Sequence, residues 1–433
     1  MAETEKKVFF DRKKRFLLPE KITVRPVTEG LLERLNANPE RKRLVEVRHM
    51  DVTYGYGLSK FKAVHDMSFN IYEGEVLGLV GESGSGKSTT GNALISLVKH
   101  SFGDIKINGK YLPKEGEKVD KDFKEFIINN VQMIFQDPAN SLNPFVNIEQ
   151  VVTEGLYNLK NFKPSYIKFS FKSYLIDLMN ELKKRGLNDQ VTRLDIFFND
   201  QFDYLNEDEQ KKLISFVNKL QIKDLTNGSI KLNEILNEIN EVKNLNENQL
   251  IKKVAIDVLK SVGLDETVLH RYPLEFSGGQ QQRIGISRAV AMRPKLLIAD
   301  EPISALDVSI QAQVINIFKD LKAKYNLTIL FIAHDLRMVE YISDRIAVMY
   351  KGILLEIGPT KEVVKNFLHP YTKSLMEAIP SIDADKKSLL GYIYDPSMHG
   401  YTKDHQPKWI NLGNDHYILA TEDEVERWKN SEY

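Results

Sequence analysis

Gly81-Glu82-Ser83-Gly84-Ser85-Gly86-Lys87-Ser88 follows the apolar run Val76-Leu77-Gly78-Leu79-Val80 and leads into Thr89–Val98. This order predicts a strand, a glycine loop and a helix. Glycines let the backbone turn so that successive N–H groups point inward, toward a chain of phosphates. The helix that follows presents its positive end to the same anion. Lys87 adds a point charge for the outer phosphates, and Ser88 offers a hydroxyl to Mg²⁺. The plain alternative is a glycine-rich turn that matches by accident. The Lys-Ser ending and the flanking runs argue against it.

Two further segments say what is done with the phosphates. Phe276-Ser277-Gly278-Gly279-Gln280-Gln281-Gln282-Arg283 opens a helix with a hydroxyl and free backbone N–H groups, which makes a second anion cradle. Two cradles serve one phosphate chain only if they come from different subunits. Read purely as structure, Ser277 caps the helix Gly278–Arg288; that reading leaves unexplained why the cap stands a short helix ahead of an acidic strand. Lys295-Leu296-Leu297-Ile298-Ala299-Asp300-Glu301-Pro302 reads as a buried parallel strand with two acids at its carboxyl end. Open α/β sheets bind ligands at that end. Asp300 suits Mg²⁺, and Glu301, one residue on, suits a water that attacks the γ-phosphate.

In this order the segments resemble the ATP-binding cassette (ABC) ATPase family. Walker A is Gly81–Ser88, the signature is Ser277–Gln280, and Walker B is Leu296–Asp300. Gln136, in Val131-Gln132-Met133-Ile134-Phe135-Gln136-Asp137-Pro138, is similar to the Q-loop. Ser304-Ala305-Leu306-Asp307 is similar to the D-loop, and His334, after Thr328–Ala333, to the switch histidine. Tyr54 fits the aromatic that stacks on adenine, with Tyr56 as a neighbouring competitor. The resemblance implies an α/β fold of the P-loop NTPase (RecA-like) kind. It would carry an antiparallel β subdomain, an enlarged α-helical subdomain and a C-terminal extension. It implies ATP held by Tyr54 and by Gly81, Glu82, Ser83, Gly84, Ser85, Gly86, Lys87, Ser88 and Thr89. Mg²⁺ falls to Ser88, Gln136 and Asp300, and catalysis to Glu301, His334, Gln136 and Lys87. Ser277, Gly278, Gly279 and Gln280 would face the ATP of a partner cassette.

Three stretches narrow the resemblance to oligopeptide and dipeptide importers: Phe135–Pro144, Arg271–Phe276, and His369-Pro370-Tyr371-Thr372-Lys373-Ser374-Leu375-Met376-Glu377-Ala378-Ile379-Pro380. Gly81–Ala93 and Val131–Leu156 look more like the F-type than the D-type subunit of those importers. The likeness covers roughly Leu44–Tyr157 and Val254–Pro380.

Lys+Arg and Asp+Glu are both 60, so the formal net charge is zero and no global field argues for nucleic acid. With no cysteine, neither a disulfide nor a thiolate metal site or iron–sulfur cluster is possible. No run of about 18 apolar residues occurs, so no membrane-spanning helix is expected. The start Met1–Lys7 lacks the apolar region of a secretion signal. The expected location is peripheral, on the cytoplasmic face of the cell membrane, with membrane contact through partner proteins. Arg12-Lys13-Lys14-Arg15 is read as a solvated tail, with anionic lipid as the sharper alternative.

The motif positions divide the chain. Residues 1–43 are an N-terminal extension with a helix near Glu29–Asn36. Residues 44–380 are the ABC ATPase domain, with a helical subdomain at 136–270 and the importer motif at 360–380. Residues 381–433 are a tail whose Trp409, Tyr417 and Trp428 argue for docking rather than disorder. Residues 158–248 make the helical subdomain longer than the family needs. Leu213, Val217 and Leu220 form one helical stripe, and Leu232, Ile235, Leu236, Ile239 and Val242 another, with a break near Asn227-Gly228-Ser229. A self-packing insertion is preferred over a docking surface.

The resemblance implies two cassettes that sandwich two ATP molecules head to tail. It also implies a D-type ATPase partner, two transmembrane permease subunits, an extracytoplasmic peptide-binding protein and no nucleic acid. The function expected is powering the import of oligopeptides. Rivals are another cargo (dipeptides, nickel complexes, glycosides) or a non-transport ABC ATPase acting on nucleic acid or ribosomes.

Overall fold

The computed structural model describes residues 8–15, 18–55, 57–197, 240–304, 306–377, 392–402 and 405–430, with a few single positions between 206 and 238. By mutual contact the chain divides into two compact units, Met1–Asn143 with Phe276–Tyr433, and Pro144–Glu275.

The first unit holds three sheets. Strands β1 (Val8–Arg15) and β2 (Leu18–Pro26) form a hairpin, and β3 (Arg43–Tyr54) and β4 (Phe61–Tyr72) are long antiparallel neighbours. Next come β5 (Val76–Val80), β6 (Phe102–Ile107), β7 (Lys110–Tyr111) and β8 (Val131–Ile134). The second half adds β9 (Leu296–Asp300), β10 (Thr328–Ala333), β11 (Arg345–Tyr350), β12 (Ile353–Pro359), β13 (Lys408–Gly413) and β14 (His416–Ala420). The order β4-β3-β6-β7 makes an antiparallel sheet, and β13-β14-β12-β11-β5-β10-β9-β8 the main one.

The middle of the main sheet is parallel. β5, β9 and β10 are buried at every residue, which is why their sequences are unbroken apolar runs rather than alternations. Pairing sets Ala333 beside Val80, Ile332 beside Asp300, and Ile134 beside Ala299. The carboxyl ends of four strands distant in sequence therefore lie side by side.

Both extensions belong to this unit's core. Leu31, Leu35, Trp409 and Tyr417 sit in the same apolar cluster as Leu79, Ile298 and Ile332. The helix Leu31–Leu35 meets β13: Arg34 stacks on the Trp409 ring at 3.8 Å, and the Trp409 N–H donates to the Glu29 carbonyl at 2.9 Å. Burial lowers the Arg34 pKa to about 9. The tail is docked, as its aromatic residues suggested: Trp409, Tyr417 and Trp428 are all buried. What the sequence did not suggest is that β14 extends the main sheet through pairing with β12. A fully buried Glu356 on β12 ties the two together. It accepts from His416 Nε2 at 2.7 Å, from the Leu368 N–H at 3.3 Å and from the Thr372 hydroxyl.

One expectation needs correction. Arg12-Lys13-Lys14-Arg15 is not a loose tail but the end of strand β1. Its hairpin is anchored by the inward residues of a two-residue alternation. Phe9 packs on His49 with ring centroids 4.5 Å apart, Asp11 is buried against Lys114, and Arg25 of β2 bridges Asp66 at 2.9 Å. The described part of the importer motif forms two helices, Thr360–Lys365 and Pro370–Glu377. Pro370 starts the second, as expected where a missing N–H costs nothing.

The second unit is helical, with Ile148–Thr153, Phe162–Lys184, Asn188–Phe197 and Glu247–Ser261. Within it Lys163 donates to the Lys243 and Leu245 carbonyls at 2.7 and 2.8 Å. Val242 is buried there. The other members of the two stripes, and Asn227-Gly228-Ser229, lie outside the described residues, as does Tyr56. No described helix is long and apolar enough to cross a membrane.

Two expected outcomes follow from the docked tail. Trp409→Ala removes a core ring that also carries Arg34, and is expected to cost about 3–5 kcal/mol in urea unfolding. Glu424 titrates between opposing influences. Burial pushes it up, but hydrogen bonds from His399, Thr421 and Tyr401 outweigh burial and hold it at about 2, below its ordinary 4.5. A depressed acid stabilises the fold above its unfolded pKa and loses that stabilisation as pH falls toward the folded value. Wild-type stability should therefore fall more steeply than that of Glu424→Gln as pH drops from 4.5 toward 2, read from urea midpoints across that window.

Candidate functional site

The site is built where the parallel strands end. β5 ends at Val80, and Gly81 begins the glycine loop that runs into the helix Lys87–Leu94. Two glycines are obligatory for different reasons. A Cβ on Gly81 would lie 2.1 Å from the Met349 carbonyl, so the loop could not leave the sheet on this path. Gly86 has φ +100°, and a Cβ there would meet the Ala63 carbonyl at 2.6 Å. As N-cap it offers no side-chain bond to the first helical turn, which leaves that end suited to an anion.

Lys87 is buried, and its ammonium donates to the Gly81 and Glu82 carbonyls at 2.8 and 2.9 Å. Burial lowers its pKa, against the pull of Glu301, Asp300 and Glu82. Ser88 Oγ donates to Asp300 Oδ1 at 2.9 Å. Burial, with Glu301 adjacent, pushes the Asp300 carboxyl up, while Ser88 and Lys87 draw it back. Glu301 stands one residue past β9 with φ +44°, a left-handed conformation that costs a non-glycine residue energy and is common at functional sites. Its carboxylate accepts from Gln136 Nε2 at 3.0 Å and lies 3.5 Å from His334 Nδ1.

Lys87, Ser88, Gln136, Glu301 and His334 share one cavity of about 570 Å³, while Asp300 is buried behind Ser88 and does not line it. Ser83, Gly84, Gly86, Lys87, Ser88 and Thr89 line one wall, and Gln136, Glu301 and His334 another. Tyr54, Phe61 and Ala63 complete it. Of the loop residues named from sequence, Gly81, Glu82 and Ser85 do not line it; Ser85 is buried beneath, 1% exposed. Phe61 was missed. It is directly opposite Tyr54 across the β3–β4 pair and 65% exposed, so the cavity mouth carries two aromatic faces. The only sequence signal was an aromatic at the start of a strand, which becomes informative once the register is known.

The remaining motifs lie outside the cavity. Ser277 caps the helix Gly278–Ala291 through a capping box with Gln280, so the structural reading of that segment holds. Ser277, Gly278 and Gln280 are exposed, and nothing would obstruct a Cβ on Gly278. Gly279 approaches Ile310. After Glu301, Ser304 Oγ donates to the Glu301 carbonyl at 3.0 Å and the Leu306 N–H to Ile303 at 3.2 Å. Asp307 precedes the helix Val308–Tyr325, and Ala305 lies outside the described residues. Gln311 was also missed: its Nε2 donates to the Ile303 and Leu306 carbonyls at 3.1 and 3.0 Å, bracing this turn.

A profile of the family described as "ABC transporter" matches residues 64–304. This chain belongs to the ABC transporter family. A second profile, "Oligopeptide/dipeptide transporter, C-terminal region", matches residues 355–403 of this ABC protein. The oligopeptide transport ATP-binding protein AmiF of Streptococcus pneumoniae is 37% identical over 390 residues, 90% of this chain and 98% of that protein. The oligopeptide transport ATP-binding protein OppF of Bacillus subtilis is 38% identical over 384 residues, 88% and 98%. The dipeptide transport ATP-binding protein DppF of Lactococcus lactis is 36% identical over 394 residues, 90% and 98%. These alignments run well beyond the two blocks that the motifs alone delimit.

The paired aromatics at the cavity mouth make a specific prediction. Tyr54→Ala and Phe61→Ala are each expected to weaken ATP binding by ~1–3 kcal/mol, the range for a base on an aromatic face. Binding of inorganic triphosphate, which has no base, should be unchanged; calorimetric titration with both ligands checks this.

Proposed function

We propose that this chain is the ATP-hydrolysing subunit of an ABC importer of oligopeptides, seated on the cytoplasmic face of the membrane. The observation that carries the reading is Glu301. It is an acid placed beside Lys87 and the Ser88–Asp300 pair, and held by Gln136 and His334 on the far wall of the same cavity.

In this reading the phosphates of ATP lie along Ser83–Thr89 and displace the Lys87 ammonium from the loop carbonyls. The base stacks at Tyr54 and Phe61. Glu301 takes the proton of the attacking water, and His334 and Lys87 stabilise charge on the transferring phosphoryl group. Ser88, Asp300 and Gln136 fit Mg²⁺: a hydroxyl, a carboxylate and an amide are hard oxygen donors, and the raised Asp300 carboxyl favours a nearby cation. When bound, the ion would supply positive charge that offsets the charge of the phosphates.

Ser277, Gly278, Gly279 and Gln280 are assigned to the ATP of a partner cassette, supported by the exposure of Ser277, Gly278 and Gln280 and by the absence of all four from the cavity lining. The turn Ser304-Ala305-Leu306-Asp307 is assigned to the same interface. Closure of that dimer on ATP, and opening after hydrolysis, would drive two permease subunits, with Gln136 reporting the γ-phosphate. The insertion at 158–248 is assigned as self-packing rather than as a docking surface, and residues 136–270, which contain it, as the helical subdomain that meets the permease. Phe145 and Tyr157, 87% and 58% exposed there, are apolar surface of the kind a partner covers. A D-type second ATPase and an extracytoplasmic peptide-binding protein complete the assembly, and no role with nucleic acid is assigned. The similar identity to a dipeptide transport protein makes dipeptides the second reading of the cargo.

The test is Glu301→Gln. ATP hydrolysis should fall by roughly 10²–10⁴ with ATP binding retained, and the trapped protein, isolated in mild detergent, should bring down two multi-span proteins and a different cassette ATPase. Recovery of ribosomes or DNA-bound factors instead would overturn the importer reading.

A further inference from the structure

Tyr371 lines no part of the nucleotide cavity, yet it touches the loop that builds it. Its phenol oxygen accepts a hydrogen bond from the Glu82 backbone N–H at 2.8 Å. The carbonyl of the same residue accepts from the Lys87 ammonium at 2.9 Å and from the Ser85 N–H at 3.2 Å. Glu82 is thus held at both ends of its backbone, by a tyrosine from outside the loop and by the lysine that meets the phosphates.

The tyrosine is itself rigid. It is 2% exposed, and burial pushes its phenol above the ordinary value, so it stays neutral. Its ring packs on Tyr350 and Tyr394 with centroids 4.6 and 5.4 Å apart. Its N–H donates to His369 Nδ1 at 3.0 Å, and the next residue, Thr372, is bonded to the buried Glu356. Tyr394 in turn shares a hydrogen bond of 2.8 Å with His399 Nε2, and His399 Nδ1 one of 2.6 Å with Glu424. Glu424 belongs to the last helix, Glu422–Lys429. A continuous set of contacts therefore runs from the final helix to the second residue of the glycine loop.

We propose that Tyr371 is a positioning residue for the phosphate-binding loop, fixing the Glu82 peptide and through it the resting place of Lys87, and that the C-terminal segment holds Tyr371 in register. The proposal rests on the ATP reading given above. Its physical basis is preorganisation. A loop rich in glycine has many accessible backbone states, and ordering them on binding opposes affinity. A fixed Glu82 peptide removes part of that ordering before ATP arrives. The effect belongs to binding rather than to the chemical step, because bound phosphates fix the loop by themselves.

The experiment uses the full chain and three proteins. Wild type is titrated with ATP first; absence of binding there would remove the ATP reading without bearing on Tyr371. Tyr371→Phe keeps the ring and its packing and removes only the oxygen that receives the Glu82 N–H. Loss of one hydrogen bond's net contribution predicts a rise of about 3- to 10-fold in Kd and KM for ATP. kcat at saturation should be unchanged, the melting temperature without nucleotide at most slightly lower, and amide exchange at Glu82 faster. Unchanged Kd and exchange would overturn the proposal, as would a fall in kcat with KM unaltered. Tyr394→Phe, which cuts only the bond to His399, covers the case in which Tyr371→Phe does not fold. A smaller rise in KM in the same direction is expected, and a KM equal to wild type counts against the proposal.

Discussion

Ala333 pairs with Val80, Ile332 with Asp300 and Ile134 with Ala299, and the chemistry of this protein depends on that register. A parallel sheet puts all its carboxyl ends on one side, so four loops leave side by side. A slip of one residue in any strand would turn its side chains to the opposite face and displace its loop along the sheet by about 3.3 Å. Lys87, Glu301, His334 and Gln136 would then no longer share one cavity. β5, β9 and β10 are buried on both faces, so polarity alone does not fix their register; close packing does, as at Gly78, where a Cβ would lie 2.0 Å from Val339 Cγ1.

On this frame the site carries several local costs. Lys87 is buried with its pKa lowered, Asp300 is buried with its pKa raised, and Glu301 has a left-handed backbone. None of these is favourable alone. Together they place one ammonium, one carboxylate and an open helix end around a single cavity, with the second carboxylate buried behind Ser88. The charges offset one another only in part.

The extensions are part of the same structure rather than additions to it. β14 covers the edge of β12 that would otherwise present unpaired backbone groups, and the buried Glu356 is satisfied only because His416, Thr372 and Leu368 converge on it. The first helix and β13 close on each other through Arg34 and Trp409. The tail thus acquires a physical link to the glycine loop through Tyr371, a residue more than 280 positions from Glu82 in the chain.

How much of this was legible in the sequence follows from the range of each interaction. Gly81–Ser88, Ser277–Gln280 and Leu296–Asp300 are local: the turn, the cap and the buried strand are written in neighbouring residues, so glycine loop, helix cap and acidic strand end could be read directly. The unbroken apolar run at β9 likewise declared a buried parallel strand. The hairpin at β1–β2 was missed because its alternation is broken by a run of four basic residues and its partners, His49, Asp66 and Lys114, are remote. Phe61 and Gln311 gave no local signal, since one acquires meaning from the strand opposite and the other from the turn it braces. By itself the sequence determined which residue types could meet phosphate. Only the tertiary structure decided which of them meet in one cavity and what holds the loop still, because strand register and buried long-range hydrogen bonds are set by packing between segments that are far apart in the chain.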